Sequence, residues 1–194
     1  MKKISTKTMV TTAVLSAIIV IMGYTPLGLI PLPTMTATIL HIPVAIGAII
    51  YGTEIGLILG TVMGLTTLSK ALLAPVGPLD PLFINPLISV LPRVLMGIIT
   101  AYIFIGLHKG IKKIGLSVGI TAAVASILNT VLTLGALGIV HSNQLAQILE
   151  EVHISGTVLT FLLGIVVTNG IAEIVITVLI VTPIVLALRK AARS

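Results

Sequence analysis

An all-α membrane protein with six transmembrane helices is the fold class this sequence predicts, and two observations carry the expectation. The 194 residues are 57% hydrophobic and 8% charged, with a mean hydropathy of +1.25. A water-soluble domain of that composition exposes apolar patches too large to stay dispersed. The second observation is where the charges fall. Of the eleven Lys and Arg residues, all but Lys70 and Arg93 lie at the two ends (Lys2, Lys3, Lys7, Arg189, Lys190, Arg193) or in one gap between apolar runs (Lys109, Lys112, Lys113). Asp80, Glu150 and Glu151 fall in the other gaps. Basic loops sorted from acidic ones are the mark of the positive-inside rule, so both termini are expected in the cytoplasm and the number of spans is even.

The spans follow in order, each needing roughly 20 mostly apolar residues. The first covers about residues 8–24 and ends on Tyr24, an aromatic with a polar tip at the expected outer interface. Its basic start resembles a signal peptide, but no A-x-A site follows, and it is expected to remain as an uncleaved span. Pro26, Pro31 and Pro33 then stop the helix, and the alternation of Thr34, Thr36 and Thr38 reads as extended chain. The second span, 41–52, is short, with Pro43 in its first turn. A tight turn at Gly52 to Glu54 leads to the third, 55–74. Five prolines between Pro75 and Pro92 break the next stretch, which is apolar enough to dip into the outer membrane against protein. The fourth span is 93–107 and the fifth 114–138. His141 to Gly156 carries the Leu145, Ile148, Leu149, Val152 spacing of a short amphipathic helix. The sixth, 157–188, exceeds the bilayer thickness and is expected to tilt or kink near Pro183. The whole chain reads as one membrane domain, its long outer loops capping a pocket. No internal repeat is evident, against an inverted-repeat carrier.

Polar residues inside such helices are informative because each costs a few kcal/mol in hydrocarbon unless it meets protein, water or ligand. Arg93 opens the fourth span, Asn129 lies past the middle of the fifth, and Asn169 and Glu173 are one turn apart on the sixth, sharing a face. Counting 1.5 Å per residue puts Asn129 and Asn169 at comparable depth, with Arg93 near the rim of a common cavity. A guanidinium pairs with a carboxylate, and amides donate to and accept from hydroxyl and amide groups, so these residues suit a small polar molecule with an anionic end. Asn85, Thr36 and Asp80 in the loops, and His41 at a helix start, are further candidates. Each has a structural alternative: inter-helix hydrogen bonds for the Asn residues, snorkelling for Arg93, pairing or protonation for Glu173, solvated loops or a loop anchor for the rest.

Gly52, Gly56, Gly60 and Gly64 recur every four residues, as do Ala13 and Ala17. Small residues at this spacing let helices approach closely, within the chain or against a membrane partner. The basic residues gather on no single face, which speaks against a nucleic-acid partner. With no cysteine and four scattered histidines, no metal site is implied. G-x-S-x-G, H-E-x-x-H and G-x-x-x-x-G-K-[ST] are all lacking, so the chain is expected to be no enzyme and to power no transport by itself.

With its basic start, its Ala13-x-x-x-Ala17 pair and its long outer loops, the chain resembles over its whole length the substrate-binding S components of energy-coupling factor (ECF) transporters. The stretch Ala37-Thr38-Ile39-Leu40-His41-Ile42-Pro43-Val44, followed by the Gly-rich third span, is similar to pantothenate-type members. The resemblance implies high-affinity capture of a water-soluble vitamin in the prokaryotic plasma membrane. It also implies a transmembrane T component docked at Ala13 and Ala17, and two ABC-type ATPases that use ATP while this chain binds no cofactor. Pocket residues would be Arg93, Asn129 and Asn169, with Glu173, Asn85, Thr36 and His41 beside them. The lack of Trp and the few Phe and Tyr disfavour flat ring vitamins. Pyridoxine or a hydroxymethyl pyrimidine, a stand-alone secondary transporter or channel, and an intramembrane enzyme are the competing readings.

Overall fold

Serine and threonine start the first helix and long apolar runs sustain the rest. In the computed structural model, which describes residues 5–31, 36–75, 79–111, 113–151 and 156–191, Ser5 caps α1 (Thr6–Tyr24) by accepting from the Thr8 amide at 3.2 Å. A short antiparallel ribbon follows, β1 (Leu29–Pro31) and β2 (Thr36–Thr38), with Leu29 opposite Thr38. Extended chain was expected here, and its pairing into two strands is the one departure from an all-helical chain among the described residues. Then come α2 (His41–Tyr51) and α3 (Thr53–Leu73), separated by Gly52 at φ 89°, a left-handed turn that glycine makes at little steric cost.

A 3-10 turn (Asp80–Ile84) and the four-residue α4 (Pro86–Ser89) lead into α5 (Leu91–Gly110). Helix therefore begins ahead of the expected Arg93, because Pro92 sits in the first turn, where its missing N–H leaves no bond unmade. The chain ends with α6 (Ile114–Val140), α7 (Ser142–Glu151) and α8 (Val158–Ala191), which is a single helix through Pro183. Among the described residues five helices are long and apolar enough to cross a membrane, and α2 is a shorter apolar sixth. Lys2, Lys3, Pro33, Thr34, Lys112, Val152 and Arg193 lie outside the described residues.

Surface and core separate cleanly on the helices. On α8 the exposed Leu159, Leu163, Val167, Ile171, Val175 and Leu179 recur every four residues, while Glu173, Thr177, Val181 and Val185 repeat on the face turned inward. In α1, Met9, Val10, Val14 and Ile21 are exposed and Leu15 and Ile19 are buried. Lipid is the solvent that tolerates such stripes.

Close backbone approach joins α3 to α5. A side chain at Gly56 would run into the Gly97 carbonyl, at Gly60 into the Arg93 carbonyl, and at Gly64 it would lie 2.6 Å from the Val90 Cα. The four-residue glycine ridge is thus an intramolecular seam. At one end of the bundle, Tyr51 donates to Thr11 at 3.1 Å, Arg189 donates to the Ile49 carbonyl at 3.3 Å, and the Arg189 guanidinium lies 4.8 Å from the Phe104 ring centre. The start of α1 and the ends of α2, α5 and α8 therefore meet there. At the opposite end, Leu82 of the 3-10 turn, Ile88 of α4, and Leu145 and Leu149 of α7 pack with Leu134, Leu137 and Ile165.

Candidate polar site between two apolar cores

The apolar interior is divided in two. The larger core holds Leu15, Ile19, Val44, Ile46, Leu59, Met63, Met96, Val118, Ala122, Ala125, Val181 and their neighbours, and the smaller core lies at the end where the 3-10 turn, α4 and α7 meet. On α6 the larger core stops at Ala125 among fully buried side chains, and the smaller one begins at Leu134. Ser126, Asn129, Thr130 and Thr133 occupy the interval. The same gap on α8 contains Glu173, Arg93 stands just before the core residue Met96 on α5, and His41 opens α2. A polar layer crosses the bundle between two greasy ones.

Glu173 is the centre of its described contacts. One carboxylate oxygen accepts from the Thr38 amide of β2 at 3.1 Å and the other from the Thr130 hydroxyl at 3.0 Å, so one side chain ties the ribbon, α6 and α8 together. One turn further along α8, Thr177 pairs with His41 Nε2 at 2.8 Å, and His41 is fully buried. Arg93 is 6% exposed although charged. Its guanidinium donates to the Ile88 carbonyl and lies 5.6 Å from the Phe83 ring centre, a cation-π distance. Snorkelling is thereby excluded for Arg93, which turns into protein.

Several atoms of the layer are buried without a protein partner: Arg93 Nε, His41 Nδ1, Ser126 Oγ, Asn129 Oδ1 and Thr133 Oγ1. Residues 126, 129 and 133 follow the i, i+3, i+7 spacing of one helix face. An unsatisfied buried polar group costs about 1–3 kcal/mol, so a stripe of them on one helix face is a poor scaffold and a candidate receptor for hydroxyl and amide groups.

The remaining candidates are placed differently. Asn85 caps α4, its Oδ1 accepting from the Leu87 amide at 3.0 Å, and borders a cavity of about 540 Å³ between the 3-10 turn and α7, with Gln144, Gln147, His141 and Glu151. It lies at the end of the bundle where the 3-10 turn and α7 meet, outside the layer. Thr36 faces Pro31 in the ribbon register, two residues before the Thr38 that meets Glu173. Asn169 lies on α8 one turn before Glu173. The side chains of Thr36 and Asn169 lie outside the described residues. Asp80 opens the 3-10 turn. Ala13 and Ala17 are exposed along α1. Among the described residues no cluster of metal-ligating side chains occurs.

Thr38, Thr130, Thr133, Ser126 and Thr177 are the members that inspection of the sequence did not single out. Thr177 was within reach of it, since it continues the Asn169, Glu173 register by one more turn.

A bundle of apolar helices of bilayer length with buried polar side chains between them has the build of a multi-pass membrane protein. Residues 7–185 match the family described as "ECF transporter, substrate-specific component", and the chain belongs to that family. It is 33% identical to the pantothenic acid transporter PanT of Lactococcus lactis subsp. cremoris strain MG1363, over 79% of this chain and 78% of the relative. It is 31% identical to the pantothenate transporter PanT of Leuconostoc mesenteroides subsp. mesenteroides, over 92% of this chain and 90% of the relative. The chain is accordingly a multi-pass transport protein of the prokaryotic plasma membrane.

Proposed function

We propose that this chain captures pantothenate at the extracellular face as the S component of an ATP-driven ECF transporter, with six spans and both termini in the cytoplasm. The observation that carries the reading is the stripe of buried, unpartnered polar atoms on α6, together with the buried guanidinium of Arg93 on α5. Pantothenate offers a carboxylate for the guanidinium and an amide and hydroxyls for Ser126, Asn129 and Thr133. The names of the two relatives support the same vitamin. ATP is used by two ABC-type partner subunits, and this chain binds no cofactor of its own. Its lipid-facing α1 presents Ala13 and Ala17 to the T component.

Between α6 and α8 a groove bordered by Ser126, Thr130 and Gly170 and by the exposed Ile127, Val131 and Ile171 measures about 80 Å³, well below the roughly 300 Å³ of a small-molecule site. In this reading capture involves movement of the ribbon, the 3-10 turn and α7.

Calorimetric titration of the detergent-purified chain is expected to show tight pantothenate binding, with Arg93→Ala weakening it by about 1.5–3 kcal/mol, the worth of a charge-assisted hydrogen bond. Unchanged affinity removes Arg93 from the site. Preference for pyridoxine or a hydroxymethyl pyrimidine reassigns the vitamin. Sustained uptake into liposomes by this chain alone favours a secondary transporter. Replacing Ala13 and Ala17 together by Leu is expected to leave vitamin affinity intact and abolish co-purification with the T component; continued co-purification places docking elsewhere.

A further inference from the structure

Among the described residues, a buried guanidinium and a buried carboxyl group border the polar layer, and they are engaged at different depths. Arg93 donates to Ile88, which packs with Leu134 and Leu137 of α6. Glu173 accepts from Thr130 of the same helix. The four to seven residues between those levels correspond to roughly 6–10 Å along the axis. An extended molecule of two peptide units spans about 7 Å, which matches. Unpartnered neutral groups fill the interval and the Glu173 level: Thr133 between the two, Asn129 and Ser126 at and beyond Thr130, and His41 Nδ1 on α2.

We propose that the layer sorts its ligand by where charge sits along it. The anionic end is held at Arg93, the hydroxyl-bearing end lies against Glu173, and Glu173 rejects any molecule with a second anionic group at that end. The proposal rests on the pantothenate reading and adds to it an orientation and a specificity-determining residue. Both Glu173 oxygens already accept hydrogen bonds from Thr38 and Thr130, so they are fixed in place as acceptors. A ligand hydroxyl can donate to their remaining lone pairs, whereas a phosphate ester sets further acceptor oxygens against oxygens that already accept. Binding would thus exclude the phosphorylated form of the molecule, which has the same carboxylate and the same length of chain.

The test measures displacement of labelled pantothenate from the purified full chain by three probes: pantothenate, the alcohol analogue in which its carboxylate is reduced to a hydroxymethyl group, and the phosphate monoester at its primary hydroxyl. The wild-type chain is expected to bind the monoester about a hundredfold or more weaker than pantothenate, as acceptor set against acceptor in a buried site demands. In Glu173→Gln the ratio of the two affinities should fall at least about tenfold, whatever the absolute affinity, and in Arg93→Gln the preference for pantothenate over the alcohol should shrink by a similar factor. Equal binding of pantothenate and monoester by the wild-type chain overturns the proposal without any variant, and so does an unchanged ratio in Glu173→Gln. If the wild-type chain binds no pantothenate at all, the vitamin assignment itself falls, an outcome distinct from loss of discrimination.

Discussion

Glycine does opposite things in the two halves of this bundle. In the α3–α5 seam, Gly56 and Gly97 lie backbone against backbone, each so close that a side chain on either meets the carbonyl of the other. Along α6 and α8, Gly135, Gly164 and Gly170 have open space where a side chain would go, Gly119 has only the ordinary contacts of Thr182 at 3.7 Å and Val178 at 4.0 Å, and at Gly138 the near atom, 2.9 Å away, is the movable tip of the Leu162 side chain and not backbone. Lipid supplies no hydrophobic drive between helices, so the first seam rests on intimate van der Waals contact. The second is spanned by side chains, Glu173 and Thr130 among them. The lesson is a division of labour: α3 and α5 meet backbone to backbone, whereas α6 and α8 meet through side chains, the buried polar ones among them.

The most forceful way to break that comparison is Gly97→Val. The new side chain has only the backbone of Gly56 to displace, which no rotamer change relieves. Overpacking a fitted core costs about 1–3 kcal/mol, and the upper end is expected here. At roughly 2–4 °C per kcal/mol for a chain of this size, Tm in detergent should drop by roughly 6–12 °C, with loss of monodisperse protein on size exclusion. A drop of under about 2 °C would mean that the seam is as yielding as the α6–α8 face.

The seam's existence was legible in the sequence, but its partner was not. A glycine every four residues announces a flat helix face, yet Gly97 stands alone in α5 with no periodic companion to mark it as the surface opposite. Spans were readable because apolar runs of bilayer length and sorted charges leave few alternatives. The start of α5 was misplaced because Pro92 reads as a stop, whereas in a first turn it is tolerated. Inward placement of Arg93, Asn129 and Glu173 followed from the cost of exposing such groups to hydrocarbon. The hydroxyl residues of the layer gave no such signal. A serine or threonine in a membrane helix satisfies itself on the carbonyl four residues back, as Thr168 does on Gly164 at 2.8 Å and Thr121 does on Ser117 at 2.7 Å. Such residues are inexpensive anywhere in a span, and only the three-dimensional packing shows that Ser126 and Thr133 lack a partner.

The smallest expected effect sharpens the comparison from the other side. Gly135 is exposed on α6 with nothing within 4 Å of a side chain placed there. Its neighbours Leu134 and Leu137 turn inward, so an added methyl group meets lipid and leaves both apolar cores as they are. Glycine within a helix loses more conformational freedom on folding than alanine, by roughly 0.5–1 kcal/mol. Gly135→Ala is therefore expected to raise Tm by roughly 1–4 °C and to leave pantothenate affinity unaltered. Should the same substitution lower Tm or weaken binding, space beside α6 would be part of the site's working geometry, with a neighbour moving into it when ligand enters. The flexible half of the molecule would then need its glycines as much as the rigid half does, for motion in place of contact.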